Sequence, residues 1–193
     1  MGINKSKRYD RYFEGYEESA VIDENGKKKI EVRYTKEYYS PKLTPQERKK
    51  KTVLYIILFV LVVAFQVLGG SLNIPSNYTT YMTIAQGCSL AISIALLTYL
   101  CSNLTAKDNM EISKYKSSHR NFKGVCMLSA IIFFGTFICS IAGMIAYYSA
   151  FNITAFLAAF LYMAAAICCI IMWKIENGIY YSVVSASDMT ETR

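Results

Sequence analysis

The sequence predicts an all-α membrane protein: a four-transmembrane-helix bundle with a small cytoplasmic N-terminal β-hairpin. Three observations lead there. Hydrophobic residues make up 53% of the 193-residue chain and charged residues only 18%, against about 25% charge in a typical soluble domain. No charged side chain occurs from residue 52 to 106, nor from 124 to 173. Within those stretches, four segments reach the roughly 20 apolar residues that a helix needs to cross a hydrocarbon core about 30 Å thick. This pattern excludes a water-soluble globule, a disordered chain and a small disulfide-stapled secreted domain.

The chain opens with a polar region, 1–43. Its Asn25-Gly26 dipeptide accepts positive φ at both central positions of a type I′ turn, which predicts a hairpin over about residues 18–34. With that dipeptide at the tip, Glu24 faces Lys27, Asp23 faces Lys28, Glu18 faces Arg33, and Val21 faces Ile30 on an apolar side. An isolated hairpin is marginal in water. Its cover would come from a third strand in the tail, at Ile179 to Val184, from the membrane surface, or from another protein. Tyr9, Tyr12, Phe13, Tyr16, Tyr34, Tyr38 and Tyr39 crowd the same region, as interface anchors or as headgroup-level aromatics. Gly2, Asn4, Lys5, Ser6 and Lys7 resemble the myristoylated start of Src-type tyrosine kinases, and the resemblance ends there. It implies a fatty anchor that adds little to a chain already fixed by four spans.

The bundle follows, over 44–173. Thr44-Pro45-Gln46-Glu47 reads as an N-cap, a proline at the first helical position and a capping-box glutamate. The spans are expected at 53–72, 81–101, 124–148 and 153–173, and a cytoplasmic tail at 174–193. Thr105-Ala106-Lys107-Asp108 repeats the capping signal weakly and predicts a short basic interfacial helix in the middle loop.

Charge distribution gives the orientation. Residues 1–52 hold 14 of the 21 Lys and Arg, the 102–123 loop five and the tail two, while the 73–80 and 149–152 connections hold none. Under the positive-inside rule both termini and the middle loop are cytoplasmic, in a multi-pass protein of the cell membrane. The 52 polar residues ahead of the first span argue against a cleaved signal peptide. Arg48, Lys49, Lys50 and Lys51 abut the first span, where each cation is worth about 1 kcal/mol against anionic headgroups. Pinned there without a stacking platform, they do not read as a nucleic-acid surface.

The spans contain no Asp, Glu, Lys, Arg or His, which argues against proton coupling and voltage sensing. Gln66 and Gln86 lie at matching depth in the first and second spans. They predict an interhelical amide pair or, with Ser89 and Ser93, a solute path. Gly135, Cys139 and Gly143 form a small-residue packing stripe on the third span, and Ala155, Ala159 and Ala164 to Ala166 line the fourth. Such stripes serve a compact bundle or a homo-oligomer.

Chemistry has few carriers. Cys88, Cys101, Cys126, Cys139, Cys168 and Cys169 make no Cys-x-x-Cys and read as small core residues, so no metal or cofactor is expected. His119, the single histidine, is expected in solvent, with no carboxylate or nucleophile at a telling spacing. Asn77-Tyr78-Thr79 and Asn152-Ile153-Thr154 match the glycosylation sequon. The resulting expectation is a non-enzymatic assembly or accessory subunit that binds a membrane or cytoplasmic protein through its cytoplasmic face. The alternative is a small oligomeric channel or transporter for a neutral or lipidic solute.

Overall fold

The computed structural model describes residues 16–22, 28–34, 37–106, 109–147 and 152–184. The chain divides into two compact units, one gathering 1–42, 106–117 and 180–193, the other 43–105 and 118–179. The fatty-anchor pattern, Tyr9, Tyr12, Phe13 and the Asn25-Gly26 tip lie outside the described residues.

The larger unit is helical. Helix α1 (Pro45–Ser71) starts where Thr44 and Glu47 predict. The Thr44 hydroxyl accepts from the Glu47 amide at 3.3 Å, and the Glu47 carboxylate accepts from the Thr44 amide at 2.8 Å. The Thr44 and Glu47 amides are thereby satisfied reciprocally. At the far end, the Asn77 side-chain amide donates to the carbonyls of Gly69 and Leu72, at 3.1 and 2.8 Å. A 3₁₀ turn (Pro75–Tyr78) leads into α2 (Thr80–Leu104). A π-helical turn (Lys116–Arg120) runs on into α3 (Asn121–Tyr147). Helix α4 (Ile153–Asn177) is N-capped by Asn152, whose side chain accepts from the Ala155 amide at 2.9 Å.

All four helices are long and apolar enough to cross a membrane, which marks a multi-pass membrane protein. Their outward faces fit that setting. Val60, Ile84, Ile131 and Phe160 are each more than half exposed, as lipid-facing positions are and water-facing ones rarely are.

Helix α4 is the axis of the packing. It lies along both α1 and α3, and α3 lies along α2, whereas α1 and α2 barely touch. Alanine explains its place: Ala155, Ala158, Ala159, Ala165 and Ala166 are all buried, and small side chains let neighbouring backbones approach closely. At Gly69 of α1 a Cβ would stand 3.1 Å from the Tyr162 ring of α4. The expected stripe on α3 divides. At Gly143 a Cβ would come within 2.8 Å of the Ser76 Cβ, while at Gly135 it would meet nothing within 4 Å, and Cys139 is half-buried. The buried line of α3 instead runs through Phe122, Cys126, Phe133, Thr136 and Ser140.

Two sheets make up the smaller unit. Strands β1 (Tyr16–Ile22) and β2 (Lys28–Tyr34) pair antiparallel, with Ala20 opposite Ile30 and Glu17 opposite Arg33. The register is one residue from the expected one, so Val21 faces Lys29 rather than Ile30. Consecutive acids at 17 and 18 and three successive lysines at 27–29 offer opposite-charge partners in either register, so charge pairing alone did not fix it.

The tail strand is present but does not extend the hairpin. Strand β3 (Tyr38–Pro41) sits between β4 (Met110–Glu111) and β5 (Tyr181–Val184), antiparallel to both. Tyr115 organises this sheet from the single helical turn after β4. It stacks on Tyr39 at 4.4 Å between ring centroids and meets Tyr181 edge-on at 4.9 Å. The predicted helix start at Thr105 is instead a helix end. Its hydroxyl donates back to the Cys101 carbonyl at 2.9 Å, the local bond that lets threonine compete with helix propagation.

The two α3 glycines separate packing from mere smallness. Gly143→Ala is expected to lower thermal stability in mild detergent, by about 1–3 kcal/mol of overpacking. Gly135→Ala is expected to leave the unfolding midpoint unchanged or slightly raised. Equal effects at both positions would show that the close approach at Gly143 does not hold the bundle.

Candidate functional site

Each helix buries one stripe, and on all four that stripe continues past the apolar stretch into a polar residue. On α1 the buried Tyr55, Leu58 and Val62 extend one turn back to Lys51. On α2, Leu96 and Leu100 extend forward to Asn103, and on α4, Cys169 and Met172 extend to Glu176. On α3, Cys126 and Phe122 extend back to His119. Helical periodicity therefore brings four polar side chains together at one end of the bundle.

Glu176 is the centre, 4% exposed. Its Oε2 accepts from the Tyr55 hydroxyl at 2.7 Å and pairs with the Lys51 ammonium at 2.9 Å. Its Oε1 lies 2.5 Å from Nδ1 of His119 and accepts from the Asn103 amide at 3.4 Å. Asn103 also donates to the Ser118 carbonyl at 2.9 Å. Every neighbour offers a donor, which suits an ionised carboxylate, an acceptor only. The Lys51 ammonium is also 5.2 Å from the centre of the Tyr55 ring.

Two expectations are corrected here. His119 is 5% exposed, not in solvent, and its carboxylate comes from 57 positions away. Lys51 is not a headgroup contact, because its side chain turns inward to Glu176 and is only 12% exposed. Of the same run, Lys49 and Lys50 are exposed and Arg48 is half-buried. His119, Asn103 and Glu176 are buried, and the cluster has the make-up of a buried ion-pair network, an ion knot.

The sparse contact between α1 and α2 leaves a groove of about 670 Å³. Its walls are apolar, with Val63 and Val67 facing Leu90 and Ile94, and Gln66, Gln86 and Ser93 also line it. The direct amide pair expected of Gln66 and Gln86 is replaced by two separate bonds. The Ser93 hydroxyl meets Oε1 of Gln66 at 2.7 Å. Nε2 of Gln86 donates to the Tyr162 hydroxyl at 3.2 Å and to Oδ1 of Asn77 at 3.4 Å. Depth alone did not pair them because Tyr162, from α4, reaches Gln86. Ser89 faces away from the groove and shares a 2.8 Å hydrogen bond with Thr136 of α3.

The remaining motif residues have structural roles. Both sequon asparagines cap helices, and Asn77 is 6% exposed, so its amide is committed to α1. Cys126, Cys168 and Cys169 are buried, Cys139 is half-buried, and Cys88 and Cys101 are exposed. Among the described residues, no group of three or more His, Cys, Asp or Glu is placed to hold a metal ion. No protein-family model, curated protein or solved structure matches the chain.

Removing the carboxylate while leaving the cation is expected to be costly. Glu176→Ala should destabilise the bundle by about 3–5 kcal/mol, the cost of stranding a buried charge. Adding Lys51→Met to that variant should recover a substantial part of the loss. Thermal unfolding of the purified chain in mild detergent measures both, and a double variant no more stable than Glu176→Ala would contradict the pairing.

Proposed function

We propose that this chain is a non-enzymatic assembly or accessory subunit of a cell membrane, with both termini cytoplasmic, that binds a protein partner through its soluble face. One observation carries the reading. Strands β3, β4 and β5 come from three segments far apart in sequence and pair in one sheet. Strand β3 precedes α1, β4 follows α2 and β5 follows α4, an order that favours an even number of crossings between them. That supports a reading in which the three segments that hold every Lys and Arg of the chain lie on one side, as the positive-inside rule expects. A chain whose connections on the other side are short devotes its folded soluble structure to this face.

The partner surface follows from the sheet. Among the described residues strand β5 is an edge of its sheet, with exposed Val183 and, just before it, exposed Tyr180, and a sheet edge with an aromatic beside it is a common docking element. Lys49, Lys50 and Arg48 hold this side against anionic headgroups. A second reading, a channel or transporter for a neutral or lipidic solute, is favoured by the groove that Gln66, Gln86 and Ser93 line. It predicts liposome flux that falls when Gln66→Leu and Gln86→Leu are combined.

Affinity capture from native membranes tests the assembly reading. The tagged chain is compared with a Tyr39→Ala plus Tyr115→Ala variant, which removes the stacked pair worth about 0.5–1.5 kcal/mol beyond its buried area. The variant is expected to reach the membrane normally while a partner seen with the wild type falls several-fold. The same partners in the same amounts with both chains would remove the basis of the reading.

A further inference from the structure

We infer that the groove between α1 and α2 is a binding site for one chain of a neutral lipid bearing a hydroxyl or amide group. The inference rests on the groove and stands apart from the assembly reading. It names a ligand for the surface on which the transport alternative depends.

Size comes first. At about 670 Å³ the groove falls within the roughly 300–1,000 Å³ of small-ligand sites. Its lining runs from Phe59 to Gly70 on α1 and from Thr83 to Leu97 on α2, about 17 and 21 Å at about 1.5 Å per residue. That is more than half of a hydrocarbon core about 30 Å thick, counted from the α1–α2 connection. A partner helix would need a lane along the whole span; a single lipid chain needs only this length.

Chemistry selects the lipid. Among the described residues no charged side chain lines the groove, so a phosphate drawn into it would find no cation there. The polar residues demand more than a hydrocarbon tail, however. Gln66 is held to the bundle through Oε1 and Gln86 through Nε2. The opposite half of each amide, a donor on Gln66 and an acceptor on Gln86, makes no hydrogen bond among the described residues. Both side chains are half-buried in a setting where lipid tails offer no partner, and an unmet amide in hydrocarbon is costly. A hydroxyl or an amide both donates and accepts, and so answers the two together. Gly87 leaves the space beside them open, since a Cβ there would meet nothing within 4 Å.

Photolabelling of the full-length protein in phosphatidylcholine nanodiscs tests the site. The probes are a photoreactive long-chain alcohol, a long-chain N-acyl amide and the matching alkane. The alcohol and amide are expected to label residues 59–70 and 83–97, with unlabelled alcohol competing and unlabelled alkane not. Combining Gln66→Leu and Gln86→Leu should lower alcohol labelling about tenfold, the size expected for two lost polar contacts in lipid, and leave alkane labelling unchanged. Gly87→Phe, which fills the space, should abolish labelling of the groove by the alcohol and the amide. Labelling spread over the outward faces of all four helices would overturn the proposal. So would alcohol labelling untouched by the glutamine variants, or a cross-link joining two copies through the groove. A lipid that is bound but not carried gives positive labelling with no flux, so this site and the transport reading fail separately.

Discussion

A single carboxylate, buried where four helices end, is the constraint around which the bundle is arranged. Taking a charge out of water costs several kcal/mol even after relaxation, and its attraction to a partner offsets this only when its oxygens are also hydrogen-bonded. Glu176 meets that condition through Lys51 and Tyr55 on one oxygen and His119 and Asn103 on the other. Those donors come from α1, the turn before α3, and α2, while the carboxylate belongs to α4. Apolar packing in lipid gives little preference among helix arrangements, since the tails are as apolar as the side chains. A buried ion with donors on three other elements supplies the missing selectivity, because any other arrangement strands a charge.

The architecture was legible in the sequence because its signals are local. Span lengths follow from uninterrupted apolar runs, and the Thr44–Glu47 box fixed the start of α1 within the chain's own first turn. The ion knot was not legible from spacing, because His119 and Glu176 are far apart and the four cations at 48–51 look equivalent in a linear run. Periodicity held the missing signal. Lys51 lies in phase with Tyr55, Leu58 and Val62, and Glu176 with Cys169 and Met172. A polar residue that continues a buried stripe one turn beyond the apolar stretch is a candidate for burial, whatever its charge. The same rule separates Lys51 from Lys49 and Lys50, which fall off the stripe.

Other expectations failed where a residue had a second use that sequence patterns do not register. Asn77 fits a sequon, but the end of α1 leaves carbonyls that need donors, and the Asn77 amide supplies them. Thr105 fits an N-cap, yet its hydroxyl bonds backward to Cys101. The tail strand matched its expected place in sequence but found β3 rather than the hairpin. Strand pairing depends on what the turn after β4 brings alongside, here Tyr115 against Tyr39 and Tyr181. That contact joins three segments, and no local pattern encodes it.

The knot also accounts for how a groove persists between α1 and α2. Two helices that barely touch would be expected to collapse together or drift apart in lipid, since nothing apolar penalises either motion. Here α1 is fixed at both ends against α4 rather than against α2. Lys51 and Tyr55 bond Glu176 at one end, and at the other Gly69 lets the backbone approach the Tyr162 ring. Helix α2 is fixed on its opposite side, by Ser89 to Thr136 of α3 and by Asn103 in the knot. The Ser93–Gln66 bond then spans the gap without closing it. The opening between α1 and α2 is thus set by contacts each helix makes elsewhere, and it stays available because neither helix is free to fill it.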